Sequence, residues 1–195
     1  MRSAEFNREE VLRSAMDAFI AKGYNQTSMQ DLKKATGLHP GSIYCAFTNK
    51  RGLLLAALEH YRRERRDEFA ALFSESDSVI AGIEAYIAQV VDECERDEIK
   101  DCLLQKALSE LAPQDQEVEV LISSILKEWH SAFQHQLERA KTNGEISQDK
   151  DTMLLAQYIV MSIYGLRTFS HTQPEAGTLR QLSEIVITTI RCDTQ

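Results

Sequence analysis

The chain has 195 residues, of which 43% are hydrophobic, and its formal net charge is −8. This composition supplies enough apolar side chains for a folded core. No apolar run reaches the roughly 18 residues of a membrane-spanning helix, and the first residues are too polar for a signal peptide. The four cysteines, at positions 45, 94, 102 and 192, match neither a disulfide framework nor a zinc-binding pattern. We therefore expect a cytoplasmic protein with no metal site and no cofactor.

Prolines and glycines are few, three and eight respectively, and runs of β-branched residues are scarce. These features favour an all-α fold of about nine helices. The pattern predicts an N-terminal three-helix domain over residues 1–50. It predicts a second helical domain over residues 51–195, whose last two helices are expected to dimerise.

The first predicted helix covers residues 6–22 and is amphipathic. Two short helices follow near residues 28–35 and 40–46. Thr27 can cap the first of these, and Gly37 can adopt the left-handed conformation at which it ends. Two short helices joined by a glycine turn form a helix-turn-helix, whose second helix enters the major groove of DNA.

Six further helices are predicted in the rest of the chain. They lie near residues 50–73, 79–96, 101–111, 115–143, 149–170 and 177–191. The last two are apolar over much of their circumference, so they must be buried on two sides. We expect one side to face its own domain and the other, including Ile163 and Ile187, to face a second copy of the chain. Gly165 would allow close helix approach in that homodimer.

The charge is divided unevenly along the chain. Residues 1–66 contain 12 Lys/Arg and 7 Asp/Glu, a net charge of +5, whereas residues 67–195 contain 10 and 23, a net charge of −13. The basic part coincides with the helix-turn-helix, as electrostatic attraction to phosphate requires. The acidic part would be repelled by DNA.

Short motifs recur at characteristic spacings over about the first quarter of the chain. They are Ala18-Phe19, Lys22-Gly23-Tyr24, Thr27-Ser28-Met29, Asp31-Leu32, Ala35, Gly37-Leu38, Gly41-Ser42-Ile43-Tyr44, Phe47, Lys50 and Leu53-Leu54. Their joint spacing resembles the DNA-binding region of TetR/AcrR-type bacterial regulators. The resemblance implies a homodimeric repressor that binds a palindromic operator and releases it when an effector binds.

The candidate DNA contacts lie in and around the helix-turn-helix. They are Thr27, Ser28, His39, Pro40, Gly41, Ser42, Tyr44, Cys45 and Lys50. The resemblance implies a phosphate contact for Tyr44, whose phenol can donate a hydrogen bond. Lys50 adds a cation at a helix N-terminus, which favours a phosphate. His39 caps its helix or touches phosphate, with neither role preferred.

The sensing site has two candidate mechanisms. An apolar cavity would be lined by some of Leu103, Leu104, Leu108, Trp129, Phe133, Tyr158 and Tyr164. Alternatively, Cys102 near a helix N-terminus is a thiol sensor of electrophiles or oxidants. The cavity is preferred, because Glu98 and Asp101 oppose the formation of a thiolate at Cys102.

Two other classes of function compete with the DNA-binding regulator. The first is a helical interaction module whose helix-turn-helix is degenerate and does not bind DNA. The second is an enzyme with Cys102 as its nucleophile, which is disfavoured because no histidine is placed to activate the thiol. No catalytic triad or phosphate-binding loop occurs in the sequence. We therefore expect a protein that is not an enzyme.

Overall fold

The computed structural model describes residues 6–96, 103–111 and 115–191. Over these residues the secondary structure is entirely helical, so the all-α prediction is confirmed. The described helices are α1 (Arg8–Lys22), α2 (Met29–Thr36), α3 (Pro40–Phe47), α4 (Lys50–Glu75), α5 (Val79–Glu95), α6 (Leu103–Glu110), α7 (Gln116–Thr142), α8 (Thr152–Ser170) and α9 (Thr178–Arg191). Within the described ranges, no helix combines the length and apolar character that a membrane crossing needs.

Several helix ends follow from local sequence signals. Gly23 and Gly37 end α1 and α2 with φ values of +77° and +70°, a region that glycine adopts without a Cβ penalty. Asn49 Oδ1 accepts a hydrogen bond from the Gly52 N–H at 2.8 Å and so caps α4. Ser78 does the same for α5, accepting from the Ala81 N–H at 3.0 Å.

The contacts divide the chain into two units whose boundaries differ from the predicted residue 50. Unit 1 contains residues 1–66 and 101–122, and unit 2 contains residues 67–100 and 123–195. The first half of α4 joins unit 1 because Leu53, Leu54 and their neighbours on the same face are buried. The second stretch of unit 1, which includes α6, was not predicted to belong to the DNA-binding part.

Unit 1 is built around α1. This helix packs against α2 and α6, and α2 packs against α3. Its buried face carries Val11, Leu12, Ala15, Met16, Phe19 and Ile20. Leu32 from α2 and Ile43 from α3 are also fully buried. Burial of each such side chain contributes roughly 1.5–3 kcal/mol to folding.

Unit 2 is a helical core in which α5 packs against α8 and α9, and these two pack against each other. The core contains a group of aromatic rings, with Phe133 at its centre. The Phe133 ring lies 5.0 Å from Phe69 and 5.5 Å from Tyr86 between centroids, both edge to face. Edge-to-face rings at this separation stabilise the core beyond their buried area.

Candidate DNA-binding surface

The outward face of α3 carries small and polar side chains. Ile43 and Phe47 are buried on the inward face, as predicted. The exposed residues of this helix are Gly41, Ser42, Tyr44 and Cys45. Tyr44 is 51% exposed, so its phenol is available to a phosphate oxygen. Short side chains on this face would allow the helix to approach the base edges of a major groove closely.

The turn between α2 and α3 sets the direction of α3 relative to α2. The Gly37 N–H donates to Lys33 O at 3.0 Å and closes α2. Pro40 opens α3 at a position where its missing N–H costs nothing. His39 Nδ1 accepts from the Gly41 N–H at 3.3 Å. His39 therefore caps α3. The residue is also exposed, so its side chain remains available to a phosphate, and that contact stays a prediction.

The N-terminus of α2 is closed by a reciprocal pair of hydrogen bonds. Ser28 Oγ accepts from the Asp31 N–H at 3.1 Å, and the Asp31 carboxylate accepts from the Ser28 N–H at 2.9 Å. This is a capping box. Lys22 Nζ lies 2.5 Å from Asp31 Oδ1, and this hydrogen bond holds the pKa of the Asp31 carboxyl well below its usual range. Ser28 is exposed at this helix end, where a phosphate could approach.

Thr27 differs from its predicted role in two ways. It is not the N-cap of α2, because Ser28 occupies that position. Its side chain is fully buried, and its hydroxyl donates to Gly23 O at 2.5 Å. Its backbone N–H also donates to Gly23 O, at 3.2 Å. A side chain enclosed in this way cannot reach DNA, so Thr27 fixes the α1–α2 loop instead.

Lys50 lies at the start of α4, against the α1–α2 loop. Its Nζ is 4.2 Å from the centroid of the Tyr24 ring, a distance at which a cation is attracted to the ring face. Partial burial lowers the pKa of the Lys50 ammonium, and the charge of Glu110 opposes that shift. Lys50 is half-buried rather than extended into solvent.

Comparison with known proteins identifies the class to which this arrangement belongs. Residues 11–57 match the family described as bacterial regulatory proteins, tetR family, and residues 79–183 match a tetracyclin repressor-like C-terminal domain. The HTH-type transcriptional repressor ComR of Escherichia coli is 32% identical, over 95% of this chain and 88% of its own length. The chain belongs to the TetR family. It is therefore a DNA-binding transcriptional regulator, and TetR-family regulators act as dimers.

Further similarities agree with this assignment. The regulator YezE of Bacillus subtilis is 27% identical, over 97% of this chain and 98% of its own length. A structure of the TetR-family regulator CifR, a cysteine mutant complexed with 26-bp operator DNA, superposes with a TM-score of 0.82. It is 26% identical and covers 95% of this chain and 98% of its own. A TetR regulator from Chloroflexus aurantiacus, 24% identical with a TM-score of 0.82, shares the fold over 94% of this chain and 93% of its own.

The side chains predicted to line a ligand cavity lie in both contact-defined units. In unit 2, Trp129, Tyr158 and Tyr164 are partly buried and pack against the core that contains Phe133. The Trp129 and Tyr164 rings are 5.8 Å apart, edge to face. In unit 1, Leu104 is buried and Leu108 is 40% exposed, and the predicted set also includes Leu103. Their joint contact with a ligand stays a prediction.

The predicted thiol sensor Cys102 lies outside the described residues. Of the other cysteines, Cys45 is exposed on α3 and Cys94 is buried in unit 2. Across the described parts of the chain, no three His, Cys, Asp or Glu side chains are grouped as a metal ion would require.

An apolar stripe runs along the outer faces of α8 and α9, the helices predicted to form the dimer seam. Its most exposed members are Leu154 and Met161, each 62% exposed, and Ile185, 59% exposed. Space around Gly165 is open, with no atom within 4 Å of the position its Cβ would take. In contrast, Ile163 is fully buried in the core of its own unit. The choice of Ile163 as a seam residue was therefore wrong, although the choice of these two helices agrees with the exposed stripe.

Two functional candidates in unit 1 were missed by sequence reasoning. The Arg51 guanidinium bonds to Asp115 Oδ2 at 2.5 Å and to Glu117 Oε2 at 2.6 Å. The Asn25 N–H donates to Glu110 Oε2 at 3.0 Å. These partners are separated by 64, 66 and 85 positions in the chain. No local pattern signals such pairs, whereas the Ser-x-x-Asp spacing of the α2 capping box was readable.

Proposed function

We propose that this TetR-family protein is a repressor that binds a palindromic operator with α3 in the major groove. The observation that carries the proposal is the division of α3 into a buried apolar face and an exposed face of residues that are small or polar. A recognition helix needs such a face to reach base edges. The relative ComR is named as a repressor, and the CifR structure is a complex with operator DNA.

Within this interface, side chains divide by the part of DNA that they reach. We assign base contacts to partly exposed Pro40 and to exposed Gly41, Ser42 and Cys45 on α3. We assign phosphate contacts to Ser28, His39, Tyr44 and Lys50. Because the base-facing side chains are short, sequence-dependent shape of the operator would contribute to specificity alongside direct contacts. Thr27 is left out of the interface because it is buried.

The dimer determines the form of the operator. Two identical reading units related by a two-fold axis require two half-sites with matching symmetry. The apolar stripe on α8 and α9 is exposed over several large side chains, and patches of this kind mark protein interfaces. We infer that two copies pair through these helices and that their pairing sets the distance between the two recognition helices.

An effector that prefers the dimer in its off-DNA arrangement would release the operator. We place effector binding in unit 2, beside the aromatic group of Trp129, Tyr158 and Tyr164, because aromatic and apolar walls are typical of small-molecule sites. Reaction of Cys102 with an electrophile is the competing mechanism. Operator binding by wild type and Cys102→Ser, each treated with 1,4-benzoquinone, separates them. Release only in the wild type would establish the thiol as the sensor.

We further propose that the protein acts in the cytoplasm, where bacterial operator DNA is found, and that it has no catalytic activity of its own. The TetR family consists of transcriptional regulators rather than enzymes. The candidate site supports recognition of DNA, since its exposed groups are hydrogen-bond donors and acceptors on helix surfaces, with the half-buried ammonium of Lys50 beside them.

Operator binding can be tested by selecting the DNA sequence in the same experiment. The purified protein selects binding sites from a library of random duplexes, and the affinity of the selected duplex is measured over a series of salt concentrations. A palindromic consensus and a steep loss of affinity with salt are expected, because phosphate contacts release counterions. Failure to enrich any sequence would favour the alternative of an interaction module with a degenerate helix-turn-helix.

A further inference from the structure

The DNA-binding unit includes a segment from far along the chain. This α6–α7 segment consists of residues 103–111 and 115–122 of unit 1. It packs on α1 through α6. Its buried apolar side chains are Leu104, Ala107, Leu111, Val118 and Ile122. Their removal from water stabilises the association of this segment with the helix-turn-helix.

Glu110, the last residue of α6, has its carboxylate seated on the loop between α1 and α2. Glu110 Oε2 accepts the backbone N–H of Asn25 at 3.0 Å. The other carboxylate oxygen occupies the space beside Gly23, where a Cβ would overlap it. Gly23 also has a φ of +77°, which disfavours any other residue. The glycine therefore serves both the turn and the seat for Glu110.

The loop that Glu110 contacts determines where two predicted phosphate-binding groups lie. Tyr24 lies between Gly23 and Asn25, and its ring centroid is 5.8 Å from that of Phe19. The Lys50 Nζ lies 4.2 Å from the centroid of the same Tyr24 ring. The same loop continues through buried Thr27 into the N-terminus of α2. A loop that moved would displace both Lys50 and the start of α2.

A second attachment lies one residue beyond Lys50. The Arg51 guanidinium bonds to both Asp115 and Glu117 at the start of α7. Arg51 is thereby directed towards protein carboxylates. Glu110 and Arg51 together join the α6–α7 segment to the N-terminal stretch of unit 1 at two points, one on the α1–α2 loop and one on α4.

We propose that Glu110 is a positioning residue for operator binding: its carboxylate, seated at Gly23 and bonded to the Asn25 N–H, fixes the loop that presents Lys50 and the α2 N-terminus to DNA phosphates. The proposal rests on the phosphate contacts proposed above. It predicts a change in operator affinity, on removal of Glu110, that is opposite in direction to the change expected from charge alone. Removing a negative charge near a DNA-binding surface should strengthen binding, whereas loss of this positioning contact weakens it.

The experiment compares three variants of the full-length protein on the selected operator duplex, by fluorescence anisotropy. Glu110→Ala lowers operator affinity on the order of tenfold, because the loop loses the charge-assisted hydrogen bond that holds it to α6. Glu110→Gln, whose amide oxygen still accepts the Asn25 N–H, stays within about threefold of wild type. Glu119→Ala is the matched control. It removes the same charge from an exposed position of the same segment and leaves affinity unchanged or slightly raised.

Hydrogen exchange at the Asn25 amide tests the contact independently of DNA. The amide exchanges slowly in wild type and Glu110→Gln, and faster in Glu110→Ala, while the amides of α8 remain unchanged. An unchanged exchange rate of the Asn25 amide in Glu110→Ala would overturn the contact between Glu110 and the α1–α2 loop. Faster exchange with wild-type operator affinity would overturn the positioning role. Lys50→Ala with full affinity would instead refute the phosphate contacts and leave the contact between Glu110 and the loop intact.

Gly23→Ala provides a check that does not alter Glu110. The added Cβ displaces the Glu110 carboxylate and strains the turn, so operator affinity falls. If both changes act through the same contact, the double variant loses less affinity than the product of the two single losses. A double variant whose loss equals that product would show independent effects and would contradict the proposal.

Discussion

Lys50 and Tyr44 are the two residues whose predicted phosphate contacts can be tested individually. Lys50→Ala should weaken operator binding and reduce the slope of log affinity against log salt by about one unit, since one phosphate cation is lost. Tyr44→Phe should weaken binding with little change of slope, because it removes only a neutral hydrogen-bond donor. Fluorescence anisotropy over a salt series measures both quantities.

Lys127→Ala is a suitable control for these two variants, because Lys127 is an exposed lysine of unit 2. It should leave affinity and slope unchanged. Wild-type affinity and slope in Lys50→Ala would show that Lys50 stays on the Tyr24 ring and does not contact DNA.

The ionisation of Asp115 should affect stability in acid. Its hydrogen bond with the Arg51 side chain lowers the pKa of the Asp115 carboxyl to about 2. The unfolded value is about 3.9. Because the folded pKa is the lower one, the carboxylate stabilises the fold above pH of about 4, and this contribution disappears as the pH falls towards about 2.

The variant Asp115→Asn keeps an acceptor for the α7 N-terminal amides but loses the charge. We expect it to be less stable than wild type near pH 6 and to approach wild-type stability as the pH falls through that window. Urea unfolding at several pH values gives the difference between the two proteins. A difference that stayed constant from pH 6 to pH 3 would contradict the assigned role of the ion pair.

At the scale of single helices, the sequence predicted most elements because the signals are local. Gly23, Gly37 and Asn49 end or begin helices through hydrogen bonds within a few residues. Thr27 shows the limit of this reasoning. Thr27 and Ser28 both have an oxygen suited to capping, and the reciprocal bonding of Ser28 with Asp31 decides between them.

The parts that were not predicted depend on distant residues. The contact between Glu110 and Asn25 spans 85 positions, so helical periodicity carries no information about it. The position of α6 in unit 1 follows from such contacts. For α8, apolar residues occur on both faces, so periodicity alone could not separate buried Ile163 from exposed Met161.

The exposed stripe of α8 and α9 allows a direct test of dimerisation. Met161→Glu and Ile185→Glu place a charge at 62% and 59% exposed positions. Each should give a folded monomer, because the charge would be buried only in the dimer. Ile163→Glu should instead unfold unit 2, since Ile163 is fully enclosed. Sedimentation and circular dichroism distinguish these outcomes.

Ser131→Glu, at an exposed position of α7, should leave both the association state and the fold unchanged. A Met161→Glu protein that sediments as the wild-type dimer would place the interface elsewhere on the surface.

At the scale of the whole molecule, the charge distribution matches the separation between the DNA-binding part and the rest of the chain. Residues 1–66 carry a net charge of +5 and residues 67–195 carry −13. Attraction to phosphate is therefore concentrated in the reading part, and the acidic part disfavours non-specific contacts with DNA. A protein of negative net charge can bind a polyanion because salt screens electrostatic interactions beyond the Debye length, about 8 Å at physiological ionic strength. The basic surface therefore acts on DNA with little opposition from distant acidic residues.

Dimerisation should make operator affinity depend on the spacing of the half-sites. Once one helix-turn-helix is bound, the second is held close to its half-site. The affinity for two half-sites should therefore exceed the affinity for one by a factor on the order of 100 or more. Inserting roughly 5 bp between the half-sites turns the second half-site to the opposite side of the duplex, since one helical turn is about 10.5 bp. The affinity of the wild type should then fall to that for a duplex with a single half-site. Met161→Glu, as a monomer, should bind both spacings equally. If the wild type were insensitive to the insertion, its reading units would bind independently, and pairing through α8 and α9 could not set their separation.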